Sequence, residues 1–168
     1  RYNMKHRFRI TLFLLILSCV VWAVIFCCAS AIMADDYTML YVKDGGSGTH
    51  DGSTPSNAMS TITDAISELG NARGIIVLCG PVSIGEYTEP AHTGQIIITS
   101  CYNGIDYRKT SNAVMKLNNK YQLGGPVKFE NMTVLTDGNT RLFFGCGYPL
   151  EFGEGIECTL SVESGTYP

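Results

Sequence analysis

The sequence predicts an all-β fold in which short strands coil into a parallel β-helix. From Gly74 onward, apolar runs of three to seven residues are punctuated by Gly, Pro, Asn and Asp, a pattern typical of short strands and turns. Gly-Pro-Val begins at Gly80 and again at Gly125, and each copy opens an alternating apolar and polar run. Since one solenoid coil takes roughly 20–25 residues, we expect the copies two coils apart on the same side of the stack.

Very short joints between strands support this prediction. In "LCGPVSI" (78–84) and "KFENMTV" (128–134) only one or two residues separate the apolar runs. Such joints bend a strand rather than reverse it, and Asn131 suits a bend because Asn tolerates the left-handed backbone region. A β-sandwich is the alternative, since Asn103-Gly104 and Asp137-Gly138 are typical two-residue hairpin turns.

Residues 1–34 are predicted to direct export. A head rich in Lys and Arg precedes an apolar run over 10–28, and small residues follow, as in a secretory signal peptide. We expect cleavage after Ala31 or Ala34. Because the run approaches the ~20 residues that span a bilayer, an uncleaved anchor helix is the alternative. Either way the rest of the chain is expected to be secreted or held at the cell surface, with membrane contact only through this segment.

The charge balance disfavours nucleic-acid binding. The whole chain carries −3, from 12 Lys and Arg against 15 Asp and Glu. Four of the basic residues and none of the acids lie within 1–34, so the remaining 8 bases and 15 acids give −7. Such a chain lacks the basic surface that follows a phosphate backbone.

Residues 35–73 are predicted to form an N-terminal cap. A strand over 37–42 precedes a loop rich in Gly, Ser, Thr and Asp. An amphipathic helix follows, with Thr61 as N-cap, Asp64 completing a capping box and Gly70 at the C-terminal end. The apolar stripe of this helix consists of Ile62, Ala65, Ile66 and Leu69.

These N-terminal stretches resemble the cap and first coil of right-handed β-helix proteins of the pectate-lyase-like superfamily. The likeness covers nearly all of residues 37–168, and the later stretches resemble coils of large bacterial surface proteins. It implies a right-handed solenoid, with 35–73 as its cap and 74–168 as its first coils. The matching stretches are Tyr41-Val42, Asp51-Gly52-Ser53-Thr54-Pro55, Thr61-Ile62-Thr63-Asp64-Ala65-Ile66 and Ile75–Leu78.

The resemblance also indicates which catalytic groups to seek. Lyases of the superfamily use clustered aspartates that hold calcium, with an Arg or Lys as base, and its hydrolases use two or three aspartates. The acids of the predicted coils form no such pattern. Glu151, Glu154 and Glu157 lie close together in "LEFGEGIE", as expected for outward positions of a strand and its turn. A catalytic or ligand-binding role for these three glutamates is the alternative.

No cofactor is evident, although calcium is a candidate ligand. Asp44 and Asp51 lie in the Gly-rich loop, whose carboxylate and carbonyl oxygens are the ligands that calcium prefers. A plain surface loop without metal is the alternative. His50 and His92 are each isolated in a polar loop, and we expect both to be exposed rather than to act as ligands.

Four cysteines lie beyond the leader: Cys79, Cys101, Cys146 and Cys158. In an exported chain they could form two disulfides, with three possible connectivities. The alternative is four small apolar side chains in a core.

Two functions follow from this reasoning. The first is a non-catalytic, exported surface β-helix whose loops bind a glycan or another cell-surface ligand. The second is the start of a polysaccharide lyase or glycoside hydrolase. After "ESGTYP" no polar cap follows, so we expect the chain to be the N-terminal part of a longer solenoid, with any catalytic residues in later coils.

Overall fold

The computed structural model describes residues 37–136, 143–144 and 147–160, with backbone only for Phe143, Phe144 and Leu160. These residues are mostly β. The helices are α1 (Ile62–Leu69), the single turn α2 (Tyr107–Thr110) and a 3-10 turn at Pro55–Asn57. The strands are β1 (Thr38–Val42), β2 (Gly74–Leu78), β3 (Val82–Ile84), β4 (Tyr87–Thr88), β5 (Ile96–Thr99), β6 (Cys101–Tyr102), β7 (Ile105–Asp106), β8 (Met115–Leu117), β9 (Tyr121–Gln122), β10 (Val127–Glu130), β11 (Thr133–Thr136), β12 (Phe143–Phe144), β13 (Leu150–Phe152) and β14 (Glu157–Leu160).

Three parallel sheets contain almost all of these strands. Sheet A has the order β1-β2-β5-β10-β13, sheet B the order β3-β8-β11-β14 and sheet C the order β4-β9-β12. From β2 onward the chain visits A, B and C in turn, and we call one such circuit a pass. Each pass lays its strands beside those of the previous pass. The predicted all-β class is therefore confirmed, whereas a sandwich of antiparallel hairpins is wrong for these sheets.

The register of sheet A fixes the length of each pass. Gly74 aligns with Ile96, Ile96 with Val127, and Val127 with Leu150. The first and third intervals are nearly equal, and the middle interval is clearly longer. It is longer because residues 100–113 leave the sheets before the chain enters sheet B.

The predicted position of the Gly-Pro-Val copies is wrong. Val82 opens β3 in sheet B, where it aligns with Met115, whereas Val127 opens β10 in sheet A, where it aligns with Ile96. The two copies therefore lie in different sheets. They resemble each other because both prolines stand directly before a strand, where a residue without an N–H is tolerated.

A second repeat does follow the passes. Its period is shorter than that of Gly-Pro-Val, and its two copies share fewer identical residues. Pro126-Val127-Lys128-Phe129 and Pro149-Leu150-Glu151-Phe152 lie one pass apart in the sequence. Val127, Lys128 and Phe129 align with Leu150, Glu151 and Phe152. The rings of Phe129 and Phe152 stack with centroids 6.1 Å apart.

Helix α1 forms as its sequence predicts. The Thr61 hydroxyl accepts the N–H of Asp64 at 3.0 Å, and Gly70 has a φ of +57° just after the last turn. The helix packs against β1 and β2. Its predicted apolar stripe is buried: Ile62, Ala65, Ile66 and Leu69.

One face of each sheet contributes to the core. In sheet A, Leu40, Ile76, Ile98 and Phe129 align as a continuous buried row. The opposite face of sheet A is covered in places as well, since Tyr41 and Val77 are also buried. In sheet B, Val82, Met115 and Val134 form the corresponding row. The parallel register therefore stacks apolar side chains of successive passes on one another.

Residues 100–113, which we call the excursion, form a small folded unit of their own. Strands β6 and β7 pair antiparallel around Asn103 (φ +50°) and Gly104 (φ +76°), the hairpin turn that Asn-Gly predicts. The ring of Tyr107 in α2 packs edge-on against Tyr41 at 6.2 Å. The Ser111 hydroxyl donates to the carbonyl of Cys79 at 2.7 Å. These contacts fold the excursion back against the strands instead of leaving it in solvent.

The three cysteines that the structure describes are free thiols. Cys79 is buried, Cys101 is half-buried and Cys158 is exposed. Burial raises the pKa of the Cys79 thiol, which contacts the carbonyl of Val42. The leader, Asp137-Gly138 and Cys146 lie outside the described residues.

Candidate functional site

In the described part of the chain, a group of buried polar side chains lies between sheets C and A. We call it the Glu89–His92 corner: residues 89–95, between β4 and β5, packed against residues 123–126, between β9 and β10. Glu89 is 4% exposed and His92 is 3% exposed. Two titratable groups this deeply buried need hydrogen-bond partners, because desolvation otherwise disfavours them.

The carboxylate of Glu89 has three such partners. Its Oε1 accepts the hydroxyl of Tyr121 at 2.5 Å, and its Oε2 accepts the N–H of Gly124 at 2.9 Å. The Nε2 atom of His92 lies 3.4 Å from the same Oε2. On the other side of the ring, Nδ1 lies 2.9 Å from the carbonyl oxygen of Gly94. Because a carbonyl can only accept, Nδ1 carries a hydrogen.

Two consecutive glycines make this close packing possible. A Cβ on Gly124 would lie 2.3 Å from the carbonyl oxygen of Pro90. A Cβ on Gly125 would lie 2.4 Å from the carbonyl oxygen of His92. Since neither distance is compatible with a side chain, Gly-Gly is required where the second pass supports the loop of the first.

The prediction that His92 is exposed is wrong, and the reason is this packing. The loop around His92 is polar in sequence, yet it folds inward because Glu89 and Gly94 satisfy both ring nitrogens. His50 is exposed, as predicted. Two features of the sequence belong to this corner: an acid and a histidine three residues apart, and a Gly-Gly pair further along the chain. Neither feature by itself indicates that the two segments pack against each other.

Two tyrosines complete the corner. The ring of Tyr87 in β4 lies 4.8 Å from that of Tyr121 in β9. Burial raises the pKa of both phenols well above the ordinary tyrosine value, with the nearby Glu89 carboxylate adding to the effect. Both tyrosines are therefore neutral over the physiological range. The side chains of Glu89 and His92 are fully covered, and protein groups are their hydrogen-bond partners.

The three candidate glutamates are all exposed. Glu151 lies on β13 beside Lys128 of β10. Glu154 and Glu157 flank the turn at Gly155, and Oε2 of Glu157 accepts the hydroxyl of Thr133 at 3.4 Å. Glu151 thus lies on a strand of sheet A, Glu154 lies in the turn that follows it, and Glu157 begins β14 of sheet B. A catalytic role for any of them stays a prediction.

The excursion contributes a cation to this joint. The Arg108 guanidinium donates to both carboxylate oxygens of Asp106, at 2.9 and 3.0 Å, and to the carbonyl of Gly155 at 3.0 Å. The hydrogen bonds from Arg108 lower the pKa of Asp106 to about 2. Those bonds in turn raise the pKa of Arg108. We call these hydrogen bonds of Arg108 to Asp106 and Gly155 the clip. The clip ties the excursion to the turn at Gly155, which belongs to a later pass.

The two aspartates proposed for calcium are engaged by protein donors. Asp51 accepts the hydroxyls of Ser53 and Thr49, both at 2.6 Å, and the N–H of Ser53, which lower its pKa to about 2. Both carboxylate oxygens of Asp44 lie within 3.1 Å of the N–H of Ser83. Within the described residues no three His, Cys, Asp or Glu side chains are grouped to hold a metal ion. Calcium binding stays a prediction.

In the described part of the chain, no helix has both the length and the apolar character needed to span a membrane. Comparisons with models of protein families, with curated proteins and with solved structures found no match to this chain.

Proposed function

We propose that this chain forms an exported, right-handed parallel β-helix that binds a glycan or another cell-surface ligand through its loops. The order of strands supports the helix, since successive passes through sheets A, B and C each pair in parallel with the pass before. One pass is then one coil. The passes from Gly74 to Ile96 and from Val127 to Leu150 both fall within the roughly 20–25 residues of a solenoid coil.

The position of α1 supports the proposed cap. A stack of coils leaves its first coil with an apolar end that must be covered. Helix α1 buries its apolar stripe against β1 and β2, the first two strands of sheet A. The likeness of residues 37–78 to caps of the pectate-lyase-like superfamily fits this arrangement.

The excursion is the structural feature that best supports a binding function. It interrupts an otherwise regular stack, and it is a folded hairpin and helical turn held by defined contacts. Its surface presents Ile105, which is 45% exposed, and the nearby Lys109 ammonium, with a side chain that is 82% exposed. Binding residues are disproportionately found on loops that a rigid scaffold holds in place.

Export rests on the sequence of residues 1–34. The basic head and apolar run predict a secreted or surface-held protein, and a glycan-rich envelope is the surface such a protein meets first. A released form and an anchored form are distinguished by the mass of the chain in the culture medium and in the envelope.

The binding proposal is tested with the full chain on isolated envelope polysaccharides and intact envelopes. We expect Ile105→Ser and Lys109→Ser each to weaken binding by about tenfold or more, as for contacts at the centre of an interface. Tyr148→Ser and Lys116→Ser are matched controls, because both alter exposed side chains outside the excursion. Equal loss in all four variants, or binding to none of the polysaccharides, would contradict the proposal.

The same assay separates the second candidate function. A polysaccharide lyase or hydrolase would shorten the glycan and create new chain ends during incubation. Such shortening would support the enzyme instead, and its loss in Glu151→Gln, Glu154→Gln or Glu157→Gln, with binding retained, would place the catalytic groups among these glutamates.

A further inference from the structure

The Glu89–His92 corner holds two titratable groups that the proposed binding function does not use. Both side chains are fully covered and belong to the loop between β4 and β5. Their partners Tyr121 and Gly124 come from the next pass. The corner therefore joins two successive passes through polar contacts rather than through the sheets alone.

The hydrogens at this corner can be assigned from its donors and acceptors. The neutral Tyr121 phenol donates to Oε1 of Glu89, and the N–H of Gly124 donates to Oε2. The Nδ1 atom of His92 donates to the carbonyl of Gly94. These assignments leave one contact of the corner without an assigned hydrogen: Nε2 of His92 lies 3.4 Å from Oε2 of Glu89. It is attractive when one hydrogen lies between the two atoms, on either of them, and repulsive when two lone pairs face each other.

We propose that Glu89 and His92 share a single proton between Oε2 and Nε2, and that this proton makes the corner a pH-sensitive lock between two successive passes. With one proton the pair is neutral overall and every contact is a hydrogen bond. Without it, a buried carboxylate faces an imidazole lone pair. With a second proton, the pair gains a buried positive charge, and the new hydrogen must displace the Tyr121 donor from Oε1.

The direction of the pH effect follows from proton counting. In an unfolded chain a glutamate titrates near pH ~4.3 and a histidine near pH ~6.5, so between these values the unfolded pair holds as many protons as the locked pair. Above about pH 6.5 the unfolded pair holds fewer protons, so the contribution of the lock to stability falls as pH rises. Below about pH 4.3 the unfolded pair holds more protons, so that contribution falls as pH falls.

The other described titratable groups around the corner do not reproduce this profile. They are Tyr87 of β4, Tyr121 of β9 and Asp64 of α1, which acts on Tyr87. The raised pKa of each phenol keeps both tyrosines neutral to high pH. Asp64 is exposed and lies in the first turn of its helix. Among these groups, the proton shared by Glu89 and His92 is therefore the one whose retention distinguishes the folded from the unfolded chain near neutral pH.

Nitrogen-15 NMR of the histidine rings in the full chain tests the shared proton directly. His50 is exposed and serves as an internal control. We expect the shifts of the His92 ring to stay constant over the pH range in which histidine ordinarily changes its charge, because the shared proton stays at the pair. His92 shifts that change together with those of His50 would overturn the proposal.

Thermal melting gives the second readout. Between about pH 5.5 and pH 8.5 we expect the Tm of the wild-type chain to fall by several degrees. Glu89→Gln cannot hold the shared proton, and its amide can donate to Nε2 of a neutral His92, so we expect the Tm of this variant not to fall over the same range. Glu86→Gln is the matched control, because Glu86 is an exposed glutamate shortly before Glu89 in the chain. An unchanged pH dependence in Glu89→Gln would refute the lock. Should this variant fail to fold, the ring shifts of His92 decide the question.

Discussion

The side chain of Asn131 lies directly beneath Gly155. Its Oδ1 is 2.4 Å from the place where a Cβ on Gly155 would be, and its backbone N–H donates to the carbonyl of Glu154 at 2.7 Å. Both residues have positive φ, +48° for Asn131 and +67° for Gly155. Each forms the bend between sheet A and sheet B in its own pass. The bends are therefore stacked, and a side chain at position 155 would have to displace the Asn131 amide.

Gly155→Ala is expected to destabilise the fold by about 2–3 kcal/mol. Part of the cost comes from placing a Cβ in the left-handed region, and part from displacing the Asn131 amide. Gly104→Ala is the matched control: its φ is +76°, but no atom lies within 4 Å of the added Cβ. Urea unfolding of both variants separates the cost of the left-handed backbone from the cost of displacing the Asn131 amide. An equal loss in both variants would show that the contact with Asn131 contributes nothing.

Ile66→Asp is expected to cost about 4 kcal/mol or more, or to prevent folding, because an unpaired carboxylate would replace a side chain that is 1% exposed. Ser67→Asp adds the same charge on the exposed side of the same helix, and we expect it to cost less than about 1 kcal/mol. Thermal melts of both variants check this. A small loss for Ile66→Asp would contradict the role of α1 as a packed cap.

Engineered disulfides test the register of sheet B. Ser83 and Lys116 are exposed neighbours on β3 and β8, in successive passes of the chain. Adjacent strands lie about 4.8 Å apart, which brings paired residues within reach of a disulfide. We expect Ser83→Cys with Lys116→Cys to cross-link under mild oxidation, as peptide mass mapping would show. Ser83→Cys with Lys128→Cys, which places the partner in sheet A, should not cross-link.

Acid is expected to weaken the clip between Asp106 and Arg108. The pKa of Asp106 is about 2, against a usual 3.8, so its stabilising effect is complete above about pH 4 and is lost as pH falls through 2. Because the clip is near the surface, we expect a contribution of at most about 1 kcal/mol at pH 6. Asp106→Asn should remove this contribution and reduce the loss of stability between pH 4 and pH 2 in urea titrations. An identical acid transition in wild-type and variant would assign that loss to other carboxylates.

Local features were predictable from the sequence wherever one side chain determines one bend. Thr61 caps α1, Asn103-Gly104 turns a hairpin and Asn131 bends the joint between two strands, because each residue acts on backbone within a few positions of itself. The alternation of apolar residues likewise placed the short strands.

Long-range alignment was not predictable in the same way. Gly-Pro-Val marks the start of a strand but not its sheet, so two identical triplets fall in different sheets. The Glu89–His92 corner depends on Tyr121 and Gly124, which belong to the following pass. No periodicity links those positions, because the excursion changes the spacing between passes.

The excursion occupies the same joint, between sheet A and sheet B, that Asn131 and Met132 cross by themselves one pass later. The sheets on either side keep their register in both cases. A minimal bend and a whole folded insertion are thus equally acceptable at this point. The joint can gain or lose whole elements in evolution, or accept a grafted peptide, while the framework that carries it stays the same.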